Sequence, residues 1–292
     1  MLPFWLETVC RHLGCEGEPH IVTVRDGTQP IGSMPLSVSG TTATFLGSCE
    51  VCDYQDLVSG PGGQQQVLEA VLEHLAMQGV RLLDLRTLRP DALLLKALGS
   101  MEAVAHTIFS EEVSFETELP DSWEGYLQQL DGKQRHEVRR KLRRLESEGP
   151  VDYRCLQSPD QAGTAADAFV GLFRRNRPDK AAFMTETMEA CFRELMRNLA
   201  GQHMLRLCFL DVKEQPAASV LCFDYQGTRY LYNSAYDERF ESLSAGAISK
   251  ALSIRNAIEA GCRRYDFLKG AEIYKKRLGG KETELYRCTI PI

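Results

Sequence analysis

A seven-residue word occurs twice in this chain, each time at the same kind of place. Gly79-Val80-Arg81-Leu82-Leu83-Asp84-Leu85 and Gly261-Cys262-Arg263-Arg264-Tyr265-Asp266-Phe267 both read G-x-R-x-x-D-apolar. Residues with helical spacing precede each glycine, and a strand-like run follows it. A glycine just past the last periodic residue ends a helix in a left-handed cap, so each word marks a helix-to-strand corner. Upstream of each helix lies a serine–glycine turn, Ser59-Gly60-Pro61-Gly62 in the first half and Ser244-Ala245-Gly246 in the second. Two such matches in the same order argue for an internal duplication.

The elements around the second corner are the cleaner set. Residues 205–212, 218–225 and 228–235 are apolar, β-prone runs separated by the turns Lys213-Glu214-Gln215-Pro216 and Gln226-Gly227, which predicts an antiparallel meander. From Gly246 the period changes, and Ile248, Ala251, Leu252, Arg255 and Ile258 follow helical spacing. A strand at 264–268, a short helix at 274–278 and a strand at 285–290 complete the order β-β-β-α-β-α-β. The first half repeats it more loosely, with strands at 21–24, 31–38 and 43–46, a helix at 64–78 and strands at 82–85 and 112–118. The fold class expected is α/β (α+β): two tandem domains, each a mixed, mostly antiparallel sheet flanked by helices. The boundary falls at Leu119-Pro120-Asp121, giving domains 1–118 and 119–292. Between the two cores lies a helical block whose member at 133–148 is strongly basic, with Lys133, Arg135, Arg139, Arg140, Lys141, Arg143 and Arg144.

Composition narrows the function classes. The net charge of −6 argues against a general nucleic-acid binder and leaves room for a local basic patch. No apolar stretch approaches the roughly 20 residues a membrane span needs, and residues 1–15 lack a basic region followed by an apolar run, so a cytoplasmic protein is expected. The ten cysteines are scattered. Cys49 and Cys52 form one CxxC with Cys10 and Cys15 upstream, but CxxxxC is a poor match to structural zinc spacing. The expectation is reduced thiols and no metal.

Several words of the second half are more specific. Tyr236-Asp237-Glu238-Arg239-Phe240, then Ser244-Ala245-Gly246, then Tyr265-Asp266-Phe267-Leu268-Lys269-Gly270-Ala271-Glu272 and Tyr274-Lys275 resemble the CelD/BcsL group of GNAT-like acetyltransferases. Phe4-Trp5, Val24-Arg25-Asp26-Gly27, Cys52-Asp53-Tyr54-Gln55-Asp56 and the basic run at 139–146 look like that group too, so the resemblance covers nearly the whole chain. Ala245 stands where the group often carries proline. The resemblance implies a tandem GNAT fold, related in architecture to the FemABX aminoacyl-transferases, and an enzyme that moves an acyl group from acetyl-CoA or another acyl-CoA to a small amine or amino sugar.

That chemistry assigns roles. A helix N-terminus suits a pyrophosphate, which makes Ser244, Ala245, Gly246 and Ala247 the donor cradle. Tyr232, Asn233 and Ser234 on the preceding strand would pair with the pantetheine arm, with backbone N–H groups there for the oxyanion. Asp237 and Glu272 are candidate bases, and Tyr236 and Tyr274 candidate acids. Lys269, Lys275 and Arg139 are candidates for phosphate or carboxylate on the acceptor. Two other readings stay open: an aminoacyl-tRNA-dependent transferase, for which the basic helix would hold tRNA, and a non-catalytic tandem that binds an acyl carrier or a partner.

Overall fold

Both glycine corners are helix caps of one design. Gly79 and Gly261 adopt φ of 79° and 77°. In each, the glycine N–H donates to the carbonyl three residues back (Ala76, Ile258), and the next N–H donates to the carbonyl five back (Leu75, Ala257). These paired bonds satisfy carbonyls that the last turn of a helix otherwise leaves open.

The computed structural model describes residues 1–176 and 178–292, the side chain of Asp179 apart. The chain divides into two compact units, Met1–Val113 with Thr283–Ile292, and Ser114–Glu282. In chain order the first half supplies α1 (Pro3–Leu13), β1 (Glu18–Asp26), β2 (Gln29–Ser39), β3 (Thr42–Phe45), β4 (Val58–Ser59), α2 (Gln64–Met77), β5 (Leu82–Leu88), α3 (Leu93–Leu98) and β6 (Thr107–Glu118). The second supplies α4 (Trp123–Gln129), α5 (Gly132–Ser147), β7 (Val151–Leu156), α6 (Pro159–Arg174), α7 (Pro178–Phe183), α8 (Glu186–Gly201), β8 (Leu205–Val212), β9 (Gln215–Tyr225), β10 (Thr228–Tyr236), a 3-10 turn (Glu238–Leu243), α9 (Ala245–Glu259), β11 (Arg264–Lys269), α10 (Ile273–Arg277) and β12 (Lys281–Pro291).

The mixed α/β class with mostly antiparallel pairing and flanking helices is the one expected. In the first unit, strands run in the order β1-β2-β3-β5-β12, with β4 on β2. Helix α2 packs Leu68, Val71 and Leu75 against Met34, Leu36, Leu83, Leu85 and Ile290. In the second unit, the order is β6-β11-β10-β9-β8-β7. The closing strand β12, which the sequence groups with the second half, pairs antiparallel with β5 of the first, Ile290 opposite Leu83. The end of β6 pairs with β11, Glu118 opposite Arg264. A period-2 pattern tells a strand's faces but not its partner, so this exchange is invisible in the sequence.

Local chemistry accounts for the second unit's elements. Lys213 and Glu214, and Gln226 and Gly227, have positive φ at both positions, the tight-turn geometry that matches strand twist in a two-residue hairpin. The side chains of Ser122, Asp131 and Thr185 cap α4, α5 and α8 by accepting from Gly125, Gln134 and Met188 N–H. Helices cover both faces of the sheet. On β10, Arg229 reaches Asn256 of α9, while Tyr232, three residues on, packs against Phe192 of α8. No helix among the described residues is long and apolar enough to cross a membrane.

A Cβ at Gly79 or Gly261 meets nothing within 4 Å, so the cost of alanine there is backbone strain alone. Gly79→Ala and Gly261→Ala are each expected to lower stability by about 1 kcal/mol in chemical denaturation. A neutral result at either would mean that its cap relaxes.

Candidate functional site

The two corners lead into the same local pairing. β3 runs parallel to β5 over three positions, Thr42–Thr44 against Leu82–Asp84. β10 runs parallel to β11 over three positions, Thr228–Tyr230 against Arg264–Asp266. Beyond Tyr230 the two strands of the second unit part. β10 continues to Tyr236 with its register against β9 shifted between Leu231 and Asn233. β11 bends, its register against β6 shifting between Asp266 and Lys269. Leu268 takes φ 59°, held by its N–H donating to Asp266 Oδ1 at 2.7 Å.

Lys275 secures that bend. Its side chain is 2% exposed, and its Nζ donates to the carbonyls of Leu268, Lys269 and Gly270 at 3.1, 2.5 and 3.1 Å. Glu272 Oε2 lies 2.9 Å away. Gly270 has φ 108°, and a Cβ there would sit 2.5 Å from Glu272 Oε2, so the loop requires glycine. The result is an opening between the ends of β10 and β11, with the start of α9 beside it. Ser244 enters α9 left-handed, at φ 58°, and no side chain caps the helix. Its carbonyl accepts from Ala247 and Ile248 N–H. Gly246 is packed by the Tyr236 ring, whose Cδ1 would be 2.9 Å from an added Cβ.

Lys250 stands on α9 one turn beyond Gly246. The residue is 8% exposed. Its Nζ donates to the Gly246 carbonyl at 2.8 Å and lies 4.8 Å from the centroid of the Tyr274 ring. Burial, with the charge of Lys180 adding and that of Glu272 opposing, brings its ammonium down to about 8. Lys180 donates from α7 to Asn233 Oδ1 at 3.3 Å. With Gly79 set on Gly261, Leu68 stands at the place of Lys250, Val67 at Ser249 and Val71 at Ser253. The first unit fills these positions with apolar core, whereas the second makes them polar, Tyr265 donating to Ser253 Oγ at 3.0 Å. A cavity of about 440 Å³ adjoins the start of α9, lined among others by Lys133, His136 and Lys141 of α5, Ala247 of α9, and Tyr274 and Arg277 of α10.

The structure thus brings together Tyr232, Asn233 and Ser234 on the parted end of β10, Tyr236 and Ser244–Ala247 at the start of α9, and Glu272 and Tyr274 across from them. It does not fit every expected role. Asp237 caps the 3-10 turn through Arg239 N–H and is gripped by the Arg239 guanidinium at 2.8 Å. Arg175 lies 3.5 Å away. Hydrogen bonds from Arg239 outweigh burial and hold the Asp237 carboxyl below its ordinary range, so it is a poor base. Burial raises the Glu272 carboxyl, but the charge and hydrogen bond of Lys275 bring it below its ordinary value. Burial pushes the Tyr274 hydroxyl far up, which makes it a weak acid and leaves its ring as the neighbour of Lys250. Lys275 spends its donors on backbone carbonyls and is not available to an acceptor. Lys269 ends β11 half-buried, with its carbonyl taken by Lys275. Arg139 is exposed, pairs with Glu124 at 2.6 Å, and does not line the cavity. Lys250 was not singled out from sequence, although it shares a helix face with Gly246, Ile254 and Ala257, all three spaced for burial. Among the described residues no group of three or more His, Cys, Asp or Glu is placed to hold a metal ion.

The model of the acetyltransferase (GNAT) domain family matches residues 132–276. No curated protein matches the chain in sequence. Among solved structures, FemX is 11% identical, with 98% of this chain and 90% of that one covered at a TM-score of 0.67. The C-terminal domain (DUF2156) of an Agrobacterium fabrum protein assigned as a lysylphosphatidylglycerol synthetase is also 11% identical, covering 98% and 87%, at 0.64. L-PGS from Bacillus licheniformis is 13% identical, covering 98% and 91%, at 0.61. At these identities the likeness is one of fold.

An ammonium brought down to about 8 by burial is a cost to the folded state wherever it is charged. The cost is full below about pH 8 and fades as pH rises towards 10.5, the ordinary value of a lysine ammonium. Lys250→Met is therefore expected to stabilise the chain at pH 7 by about 1–3 kcal/mol, with the gain shrinking above pH 8 in denaturation measured across pH. A loss of stability at pH 7 would show that the Gly246 and Tyr274 contacts outweigh burial.

Proposed function

We propose that this chain is an acyltransferase whose second unit takes an acyl donor, acetyl-CoA or another acyl-CoA, and passes the acyl group to an amine. The observation that carries the reading is the parting of β10 from β11 beside an uncapped helix start. An open strand edge offers N–H and C=O groups to an extended arm such as pantetheine, and the first turn of α9 offers the N–H groups of Ala245 and Gly246 to phosphate. The cavity at α5 and α10 adds the cations Lys133, Lys141 and Arg277. Its one lining carboxylate, Glu137, is already engaged with Arg140 and Lys141. The family match over 132–276 supports a transferase of this type, and the CelD/BcsL-like words from Tyr236 to Lys275 support the narrower group.

Transfer needs a proton acceptor. The acceptor nitrogen attacks the thioester carbonyl, the carbon–sulfur bond breaks, the sulfur leaves as thiolate, and the nitrogen loses a proton. Asp237 and Glu272 are too well paired to take it. We assign that proton to Lys250, whose neutral form is within reach near pH 8, the range in which a base works best at physiological pH. Backbone N–H groups of β10 past Leu231 serve the oxyanion. Glu272 and Lys180 set the charge around the amine.

A second reading uses an aminoacyl ester on tRNA as donor. It is supported by the exposed cationic side of α5, with Arg139, Arg140, Arg143 and Arg144, and by the fold shared with FemX and L-PGS. Calorimetric titration separates the two. Acetyl-CoA is expected to bind with micromolar affinity, and Gly246→Trp, which drives a ring into the space of Tyr236, is expected to weaken it at least tenfold. Absence of binding by any acyl-CoA, beside salt-sensitive binding of charged tRNA, would favour the second reading and sink the first.

A further inference from the structure

Strands β7 and β8 run antiparallel with Cys155 directly opposite Cys208, and their Sγ atoms are 2.8 Å apart. Directly opposed residues of an antiparallel pair hold their Cα atoms about 4.5–5.5 Å apart, inside the span a disulfide bridges. Both side chains are free thiols. β7 is the last strand of the second unit's sheet, and Cys155 is half-buried there. Cys208 is fully buried beneath it.

The two thiols differ in character. The hydrogen bond from Cys208 lowers the Cys155 thiol against the opposing effect of burial, and the charges of Arg229 and Arg206 add to the lowering. Burial pushes the Cys208 thiol well up. A half-buried sulfur whose ionisation is favoured by its neighbours, beside a fully buried one whose ionisation is opposed, is the pairing of an attacking and a resolving cysteine. Neither sulfur has a place in the transfer proposed above, and the pair stands on its own geometry.

We propose that Cys155 and Cys208 form a redox site that takes hydrogen peroxide and closes to an intrachain disulfide. Cys155 thiolate attacks the peroxide oxygen, the O–O bond breaks, and with a proton the leaving oxygen departs as water. Cys155 is then a sulfenic acid. Cys208 sulfur attacks it, the S–O bond breaks, and the hydroxyl leaves with the Cys208 proton as a second water. Two thiols are oxidised and one peroxide is reduced to two waters. The bond ties β7 to β8 and closes the stretch that carries α6, α7 and α8, including the Lys180 that reaches Asn233.

The reduced protein is exposed to a small molar excess of hydrogen peroxide, the remaining thiols are blocked with N-ethylmaleimide, and the unreduced digest is mapped by mass. Expected is a Cys155–Cys208 linked peptide pair, two hydrogens lighter than its parts, formed before any other cysteine changes and reversed by dithiothreitol. Cys208→Ser should leave Cys155 as a sulfenic acid trapped by dimedone, and Cys155→Ser should leave Cys208 as a thiol. Recovery of Cys155 as its maleimide adduct while other cysteines oxidise, its linkage to a different cysteine, or its direct passage to the sulfinic acid would overturn the proposal. The wild-type map decides the matter even where a variant fails to fold.

Discussion

The buried ammonium of Lys275 is the constraint on which the second unit's opening depends. A cation with so little access to water must find acceptors or unfold its surroundings. It finds three consecutive carbonyls at the end of β11, with Glu272 beside them. Gathering those carbonyls about one nitrogen turns the chain at Leu268–Gly270 and ends the parallel pairing with β10 after Tyr230. A continuous ladder there would bury the backbone groups that the parted strand now leaves open. Removing Lys275 alone would strand the carbonyls, so the residue is a support for the site and not part of its chemistry.

The repeated corner shows how one local plan yields two different interiors. Both copies end a helix at a left-handed glycine and enter a three-residue parallel pairing. In the first unit the facing helix positions are Val67, Leu68 and Val71, which pack dry. In the second they are Ser249, Lys250 and Ser253, which form hydrogen bonds to Gly246 and Tyr265. A buried lysine and serines lower the stability of the second copy relative to an apolar filling, a cost that folds tolerate where chemistry is performed. The asymmetry supports the proposal that the second unit carries the site.

Much of this was legible in the sequence, because local signals agree with the fold. The hairpin turns at 213–216 and 226–227, the glycine corners, and the switch from period 2 to helical period at Gly246 each have a local cause. The end of β10 and the start of α9 lie near each other because only the 3-10 turn Glu238–Leu243 separates them in the chain. What was hidden depends on tertiary contact. Lys275 reads as a cation for the acceptor, and Lys250 carries no signal of its own, until tertiary contacts bury them. Asp237 reads as a base until Arg239 and Arg175 close on it. Helix α5 was recognised as basic, but which of its cations face the cavity depends on how it meets α9 and α10. The partner of Cys208 was hidden because β7, a short edge strand, carries too little pattern to be recognised.

Hydrogen exchange measured with and without saturating acetyl-CoA tests the central claim most directly, since it reads the backbone groups that the parted strand and helix start expose. The account predicts that amides of residues 231–236 and 245–246 exchange at least tenfold more slowly with the donor present, while residues 42–47 and 59–63 of the first half are unchanged. Protection confined to the first half, or no change at 231–236 with donor bound, would contradict it.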